Sequence, residues 1–151
     1  MFFQYETPRL LLKVLRADCA PQVLDFYNRD KELFEMYEID RVPDFYTVKH
    51  LQKVLRYEYN MAVKSQLFRF YVFQKENPCR IIGTVCIHNI APAFYGSCEI
   101  GYKFSSEFHH MGYATEAVGF CTKLAFNELR MHKVTCLLYT SPSPRDTERS
   151  R

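Results

Sequence analysis

A chain of 151 residues, nearly half of them apolar and a quarter charged, has a one-domain length and enough apolar material to bury a core. Its formal net charge of +3 is too small for the basic face that nucleic acid requires, which leaves a mixed surface and a weak bias toward an anionic small ligand. No apolar run approaches a membrane span, Met1-Phe2-Phe3 yields at once to Gln4, Glu6 and Arg9, and the cysteines at 19, 79, 86, 98, 121 and 136 form no C-x-x-C pair, so the expected setting is the reducing cytoplasm, without membrane, nucleic acid or metal.

In chain order, Arg9 to Arg16 reads as a first strand introduced by Thr7-Pro8. Asp18 stands where a helix N-cap belongs, with Val23, Leu24, Phe26 and Tyr27 as the apolar face and Asn28-Arg29-Asp30 as the break. Glu32 to Ile39 reads as a short helix or irregular segment. Thr47 caps a second helix from Val48 to about Val63, whose apolar residues recur every three and four positions. Phe68 to Phe73 is a strand, Asn77-Pro78 a turn, Arg80 to His88 the next strand and Cys98 to Phe104 another. These predict an antiparallel meander in which Gly83 and Gly101 mark bulges or close approaches. After the polar, His-rich stretch Ser105 to Met111, a helix should run from Tyr113 to about Arg130. Its stripe is Ala114, Val118, Cys121, Ala125 and Leu129, with Glu116, Lys123 and Glu128 facing water. Arg130 to Val134 then heads toward another strand.

The informative feature is the passage from strand through Gly112 into a helix. A helix N-terminus offers unpaired N–H groups and the positive end of the macrodipole, which suits a phosphate. Gly112 permits positive φ or close approach, and Ala114 keeps the first turn free of bulk. There is no P-loop ending and no G-x-G-x-x-G, so the residues alone leave an anion-binding turn and a plain loop into a core helix both open. The neighbouring side chains of His109 and His110 do not converge, and no Cys/His set completes a metal site.

Three blocks carry a resemblance: Glu99-Ile-Gly-Tyr-Lys-Phe104, Glu107-Phe-His-His-Met-Gly-Tyr-Ala-Thr-Glu-Ala117 and Phe126 to Val134. Together with Glu6-Thr-Pro-Arg-Leu-Leu-Leu12 and Ile81-Ile-Gly-Thr84, they resemble the GNAT N-acetyltransferase superfamily, in the branch that includes the RimJ and RimL ribosomal-protein acetyltransferases. The resemblance runs from about residue 6 to 134. It implies an α+β fold, a twisted and largely antiparallel sheet flanked by helices, with acetyl-CoA as cosubstrate and a primary amine as acceptor. That acceptor would be a protein N-terminus or a small-molecule amine; a homodimer is left open. The family's pyrophosphate loop, Gln/Arg-x-x-Gly-x-Gly/Ala, falls on His109, His110, Met111, Gly112, Tyr113 and Ala114. His109 departs from the usual Gln or Arg and His110 from a frequent Gly. The family grips phosphate mainly through backbone N–H groups, so the departures touch side-chain contacts more than the site. Thr115 adds a hydroxyl, and the backbone of Tyr102, Lys103 and Phe104 should pair with the pantetheine arm.

Acyl transfer to an amine requires loss of an amine proton, polarisation of the thioester carbonyl and protonation of the leaving thiolate. Glu99 is the base candidate, against the alternative that it pairs with a cation or orients a loop. Cys98 reads better as a buried thiol than as a nucleophile. Aromatics between Phe34 and Tyr46 could collectively line an acceptor groove, although single helical aromatics are more often core.

Cys136 through Asp146 also resembles one translated frame of a common transposase-based sequencing-library adapter. That implies a GNAT domain over 1–134 that lacks its C-terminal strands, followed by a non-native tail over 135–151. A natural flexible tail is the other reading. The family's proton donor to CoA would then lie beyond Val134, and Tyr139 does not replace it. The rival functions are a non-catalytic acyl-CoA-binding module and an inactive truncated fragment.

Overall fold

The computed structural model describes residues 1–31, 46–91 and 94–138. One sheet carries six strands in chain order: β1 (Gln4–Glu6), β2 (Leu10–Lys13), β3 (Phe68–Gln74), β4 (Asn77–Ala91), β5 (Ser97–Phe104) and β6 (Lys133–Leu138). Among the described residues three α-helices flank it: α1 (Ala20–Arg29), α2 (Val48–Val63) and α3 (Tyr113–Asn127). Neighbours from β1 to β5 are antiparallel, while β6 runs parallel to β5. A parallel pair needs a crossover, and α3 supplies it. The α+β architecture is the expected one.

β3 buries apolar residues on both faces, so the sheet carries a core on each side. Leu12, Phe70, Val72, Val85, Ile87, Ile100 and Phe104 pack with Ala117, Cys121 and Leu124 of α3. Tyr71, Phe73 and Ile81 pack instead with Val23 and Phe26 of α1 and Leu51 and Leu55 of α2.

Several local expectations are corrected. The first strand is only Leu10–Lys13, and the unforeseen β1 pairs with it. Asp18 lies in a 3-10 turn, Ala17–Cys19, and caps nothing; α1 begins at Ala20 with a proline in its first turn, where a missing N–H costs no hydrogen bond. The hairpin turn is Lys75-Glu76, because Asn77 already pairs with Gln74. Helix α3 stops at Asn127, short of the expected Arg130, which takes a φ of +60°. Its fully buried residues are Ala117, Cys121, Leu124 and Ala125, and Ala114, Val118 and Leu129 are only half-buried against the same core. Thr47 does cap α2, its Oγ1 accepting the His50 N–H at 3.2 Å.

Gly83 fits its expectation. The β3–β4 register slips beside it, and a Cβ there would stand 2.4 Å from the Phe104 ring. Gly101 does not interrupt its ladder, lying opposite Cys86 in unbroken register. β6 extends to Leu138, across the boundary expected between 134 and 135. The segment Glu32 to Ile39, the aromatic stretch from 34 to 45 and the tail from 139 onward lie outside the described residues.

Candidate functional site

β5 delivers the chain to a short, heavily tethered loop. The Ser105 N–H closes on the Ile82 carbonyl at 2.9 Å, and Ser106–Phe108 makes one 3-10 turn. Asp30, the C-cap of α1, accepts from the Ser106 N–H at 2.7 Å and the Ser106 hydroxyl at 2.8 Å. Glu107 pairs with Arg80, and Arg29 lies 3.6 Å from the same carboxylate. His109 turns inward, its Nε2–H donating to the Phe104 carbonyl at 2.9 Å. His110 takes a φ of +65° and Met111 is exposed.

Gly112 then adopts φ +81°, ψ 2° as the N-cap of α3, with no capping side chain. The first-turn N–H groups therefore keep their donor capacity, and Tyr113, Ala114 and Thr115 form that turn.

Arg9, at the start of β2, grips the turn from the other side. Its Nη1 donates to the Met111 carbonyl at 3.1 Å, its Nε to Glu116 at 2.7 Å, and its guanidinium lies 4.5 Å over the Tyr113 ring. The Thr7 hydroxyl also donates to Glu116, at 2.5 Å. Glu116 thus does not simply face water. Partial burial would raise its carboxyl pKa, but the hydrogen bonds from Thr7 and Arg9 outweigh that and hold it below the ordinary value. Glu128 is exposed, as expected, and accepts from the Tyr5 hydroxyl at 3.1 Å.

Glu99 lies in the middle of β5, opposite His88 of β4, and so roughly 16 Å along the strand from Phe104. Its Oε2 accepts from Asn89 Nδ2 at 2.5 Å. Alternation puts Glu99 and Lys103 on the face away from Ile100 and Phe104, with Thr84, Cys86 and His88 beside them on β4. There a cavity of about 230 Å³ is lined by Arg69, Thr84, Cys86, His88, Gly101, Tyr102 and Lys103. Behind it Glu58 of α2 accepts from Arg69 Nε at 2.7 Å and from the Tyr71 hydroxyl at 2.9 Å. Burial raises the Glu58 carboxyl pKa, opposed by Arg69 and Tyr71. Burial also lowers the His88 pKa, against the pull of Glu99, so its imidazole is neutral at pH 7. The Cys98 thiol is pushed up to about 11, first by burial and then by Cys136 and Glu99.

The acetyltransferase (GNAT) domain family matches residues 9–141. The chain belongs to the GNAT acetyltransferase family. A curated relative, the probable N-acetyltransferase YjcK of Bacillus subtilis (strain 168), is 26% identical over 125 residues, covering 83% of this chain and 68% of that protein. Among solved structures, the ribosomal-protein-S5-alanine acetyltransferase of Vibrio fischeri superposes with a TM-score of 0.80 at 21% identity, over 88% of this chain and 72% of that one. Mycobacterium smegmatis RimJ, solved with CoA-disulfide, gives 0.78 at 16% identity, over 93% and 66%.

Within this GNAT domain, the loop from His109 to Thr115 and the end of β5 at Tyr102, Lys103 and Phe104 form one continuous structure, whereas Glu99 stands apart on the polar face. His109, at the family's usual Gln or Arg position, hydrogen-bonds the strand end. The rings of His109 and His110 sit 6.3 Å apart and edge-on, and no three His, Cys, Asp or Glu side chains gather as metal ligands among the described residues.

Sequence reasoning missed Arg9 and the group of Glu58, Arg69, Thr84 and His88. A signal for the second existed: Thr84, Cys86 and His88 alternate with buried Val85 and Ile87, placing polar groups on a face that helices also cover. Nothing local announces that Arg9 meets Glu116.

Proposed function

We propose that this GNAT chain moves an acetyl group from acetyl-CoA to a primary amine by direct attack. The observation that carries the reading is the left-handed Gly112 turn, which opens α3 with unclaimed first-turn N–H groups and is fixed to β2 and β5 by Arg9 and His109. Such a turn suits a pyrophosphate, and acetyl-CoA would enter as substrate along Tyr102 to Phe104. The Phe104 carbonyl is already engaged by His109, and Tyr102 is paired with Val85 on one edge and Leu138 on the other, so the arm's pairing falls to Lys103.

The amine nitrogen attacks the thioester carbon, the C–N bond forms and the C–S bond breaks. Glu99, directly or through water, accepts the amine proton, and CoA departs as a thiolate that takes its proton from solvent. Cys98 is an unfit nucleophile, because a thiol titrating near 11 carries almost no thiolate at neutral pH. The acceptor is a protein N-terminus or a small amine, and the reaction belongs in the cytoplasm.

Steady-state kinetics with a broad amine panel test the reading. Glu99→Gln should lower kcat/KM by about 10²–10⁴ while acetyl-CoA binding is kept. A second reading, an acyl-CoA-binding module without catalysis, draws on the Asn89 hydrogen bond, which gives Glu99 a structural occupation. Unchanged turnover in Glu99→Gln would remove Glu99 as base. Acetyl-CoA binding without turnover on any amine would favour the module.

A further inference from the structure

We propose that Arg69 is the anion-binding corner of the acceptor subsite, and that the acceptor is a small amine bearing a carboxylate. The inference rests on the acyl-transfer reading and names the substrate class of that same site.

Arg69 projects from β3 with a side chain only 23% exposed, and it lines the cavity. Its Nε meets Glu58 at 2.7 Å and its Nη1 reaches Thr84 at a long 3.4 Å, while its Nη2 donors meet no partner among the described residues. A guanidinium stays charged at any physiological pH, so Arg69 presents a fixed positive charge to the cavity it lines. Its planar fork matches the two oxygens of a carboxylate.

The rest of the lining agrees. Lys103, 4% exposed with its ammonium 5.0 Å over the Tyr27 ring, is a second cation on the cavity wall. Among the described lining residues none is acidic, and the neutral His88 adds no repulsion against an anion. Two cations disfavour polyamines and aminoglycosides, whose extra ammonium groups would meet like charge.

Geometry links this corner to the proposed base. Arg69 pairs with Cys86, Cys86 with Gly101, and Glu99 lies two residues from Gly101 on β5. Strand spacing puts the Cα atoms of Arg69 and Glu99 roughly 12 Å apart, with both side chains on one face. A cavity of about 230 Å³ is small for an organic ligand site. Short span and small volume together suit an amine a few bonds from its carboxylate.

The test uses the full chain and paired acceptors: free amino acids against their carboxamides, short peptides starting with Asp against Asn, and spermidine. Thiol release from acetyl-CoA reports turnover, and calorimetry of each acceptor reports binding without it. The expected result is a preference of about tenfold or more for the carboxylate member in both measurements. The amino-acid and peptide arms distinguish a free amino acid from an acidic N-terminus.

Arg69→Met alone would strand Glu58, so it is paired with Glu58→Gln, and Arg69→Lys keeps the charge without the fork. The carboxylate-to-amide ratio should collapse toward one in the double variant and fall partway in Arg69→Lys. Equal use of acids and amides by the unmodified protein, or preference for spermidine, overturns the proposal without any variant. Carboxylates that bind through Arg69 without thiol release would uphold the subsite and sink the transfer reading instead.

Discussion

At Gly112 a φ of +81° combines with the Arg9 Nη2 atom 3.3 Å from where a Cβ would stand. Left-handed backbone costs a non-glycine residue about 1–2 kcal/mol, more for a β-branched one. Gly112→Val should therefore weaken the thermal shift produced by acetyl-CoA while leaving the far-ultraviolet spectrum close to that of the parent. Burial decides the thiols too. Exposed Cys79 should be alkylated in the folded protein long before buried Cys98, a contrast that peptide mass spectrometry after a short iodoacetamide pulse reads directly. The left-handed turn at Gly112 was legible at this scale, because a glycine just before a helix leaves a local mark. Arg9 and Glu116 were not, since their contact spans 107 positions and each reads locally as a solvated charge.

The tether between β2 and α3 behaves as a unit. Because Thr7 and Arg9 depress the Glu116 pKa, the stabilisation is fully present above the carboxyl's ordinary value of 4.5 and is lost as pH falls through the lower, folded-state value. Melting curves from pH 6 downward should show Glu116→Gln losing less stability to acid than the parent. At neutral pH, Arg9→Met should raise the Kd for acetyl-CoA by about tenfold, equivalent to ~1.4 kcal/mol, with a smaller change in kcat. A merely destabilised fold would not split the parameters that way. The start of α2 was readable because a Thr cap is a local signal. The start of α1 was not, because Pro21 and the preceding 3-10 turn moved it past Asp18, which looks like a cap but caps nothing. β1 is too short to show a period, and it exists because β2 offers it an edge.

Across the whole molecule the two apolar layers share one sheet, so damage to either layer should register in one cooperative transition. Leu55, fully buried between α2 and the sheet, should cost about 2–5 kcal/mol when cut to alanine, measured by urea denaturation. Ligand linkage works in the other direction: acetyl-CoA at a hundred times its Kd should stabilise the native state by about 2.7 kcal/mol. The sheet as a class was legible from alternating apolar residues and turn signals. The polar cavity was not, because Arg69, Thr84 and His88 come from two strands and mean something only once the β3–β4 register, including its slip beside Gly83, is set.

Strand order follows chain order throughout the sheet. A ribosome releasing this chain from its N-terminus can therefore add each strand to an edge that already exists, but two strands wait for a long excursion: β3 for residues 14–67 through α1 and α2, and β6 for residues 105–132 through α3. Pairings close in sequence close quickly and distant ones slowly. The β3–β4–β5 meander is thus the early folding unit, and the turn at Gly112 takes its final shape with the last strand. A nascent chain stalled before α3 would already hold the polar face of β3 to β5, yet it would have nothing to grip a nucleotide with.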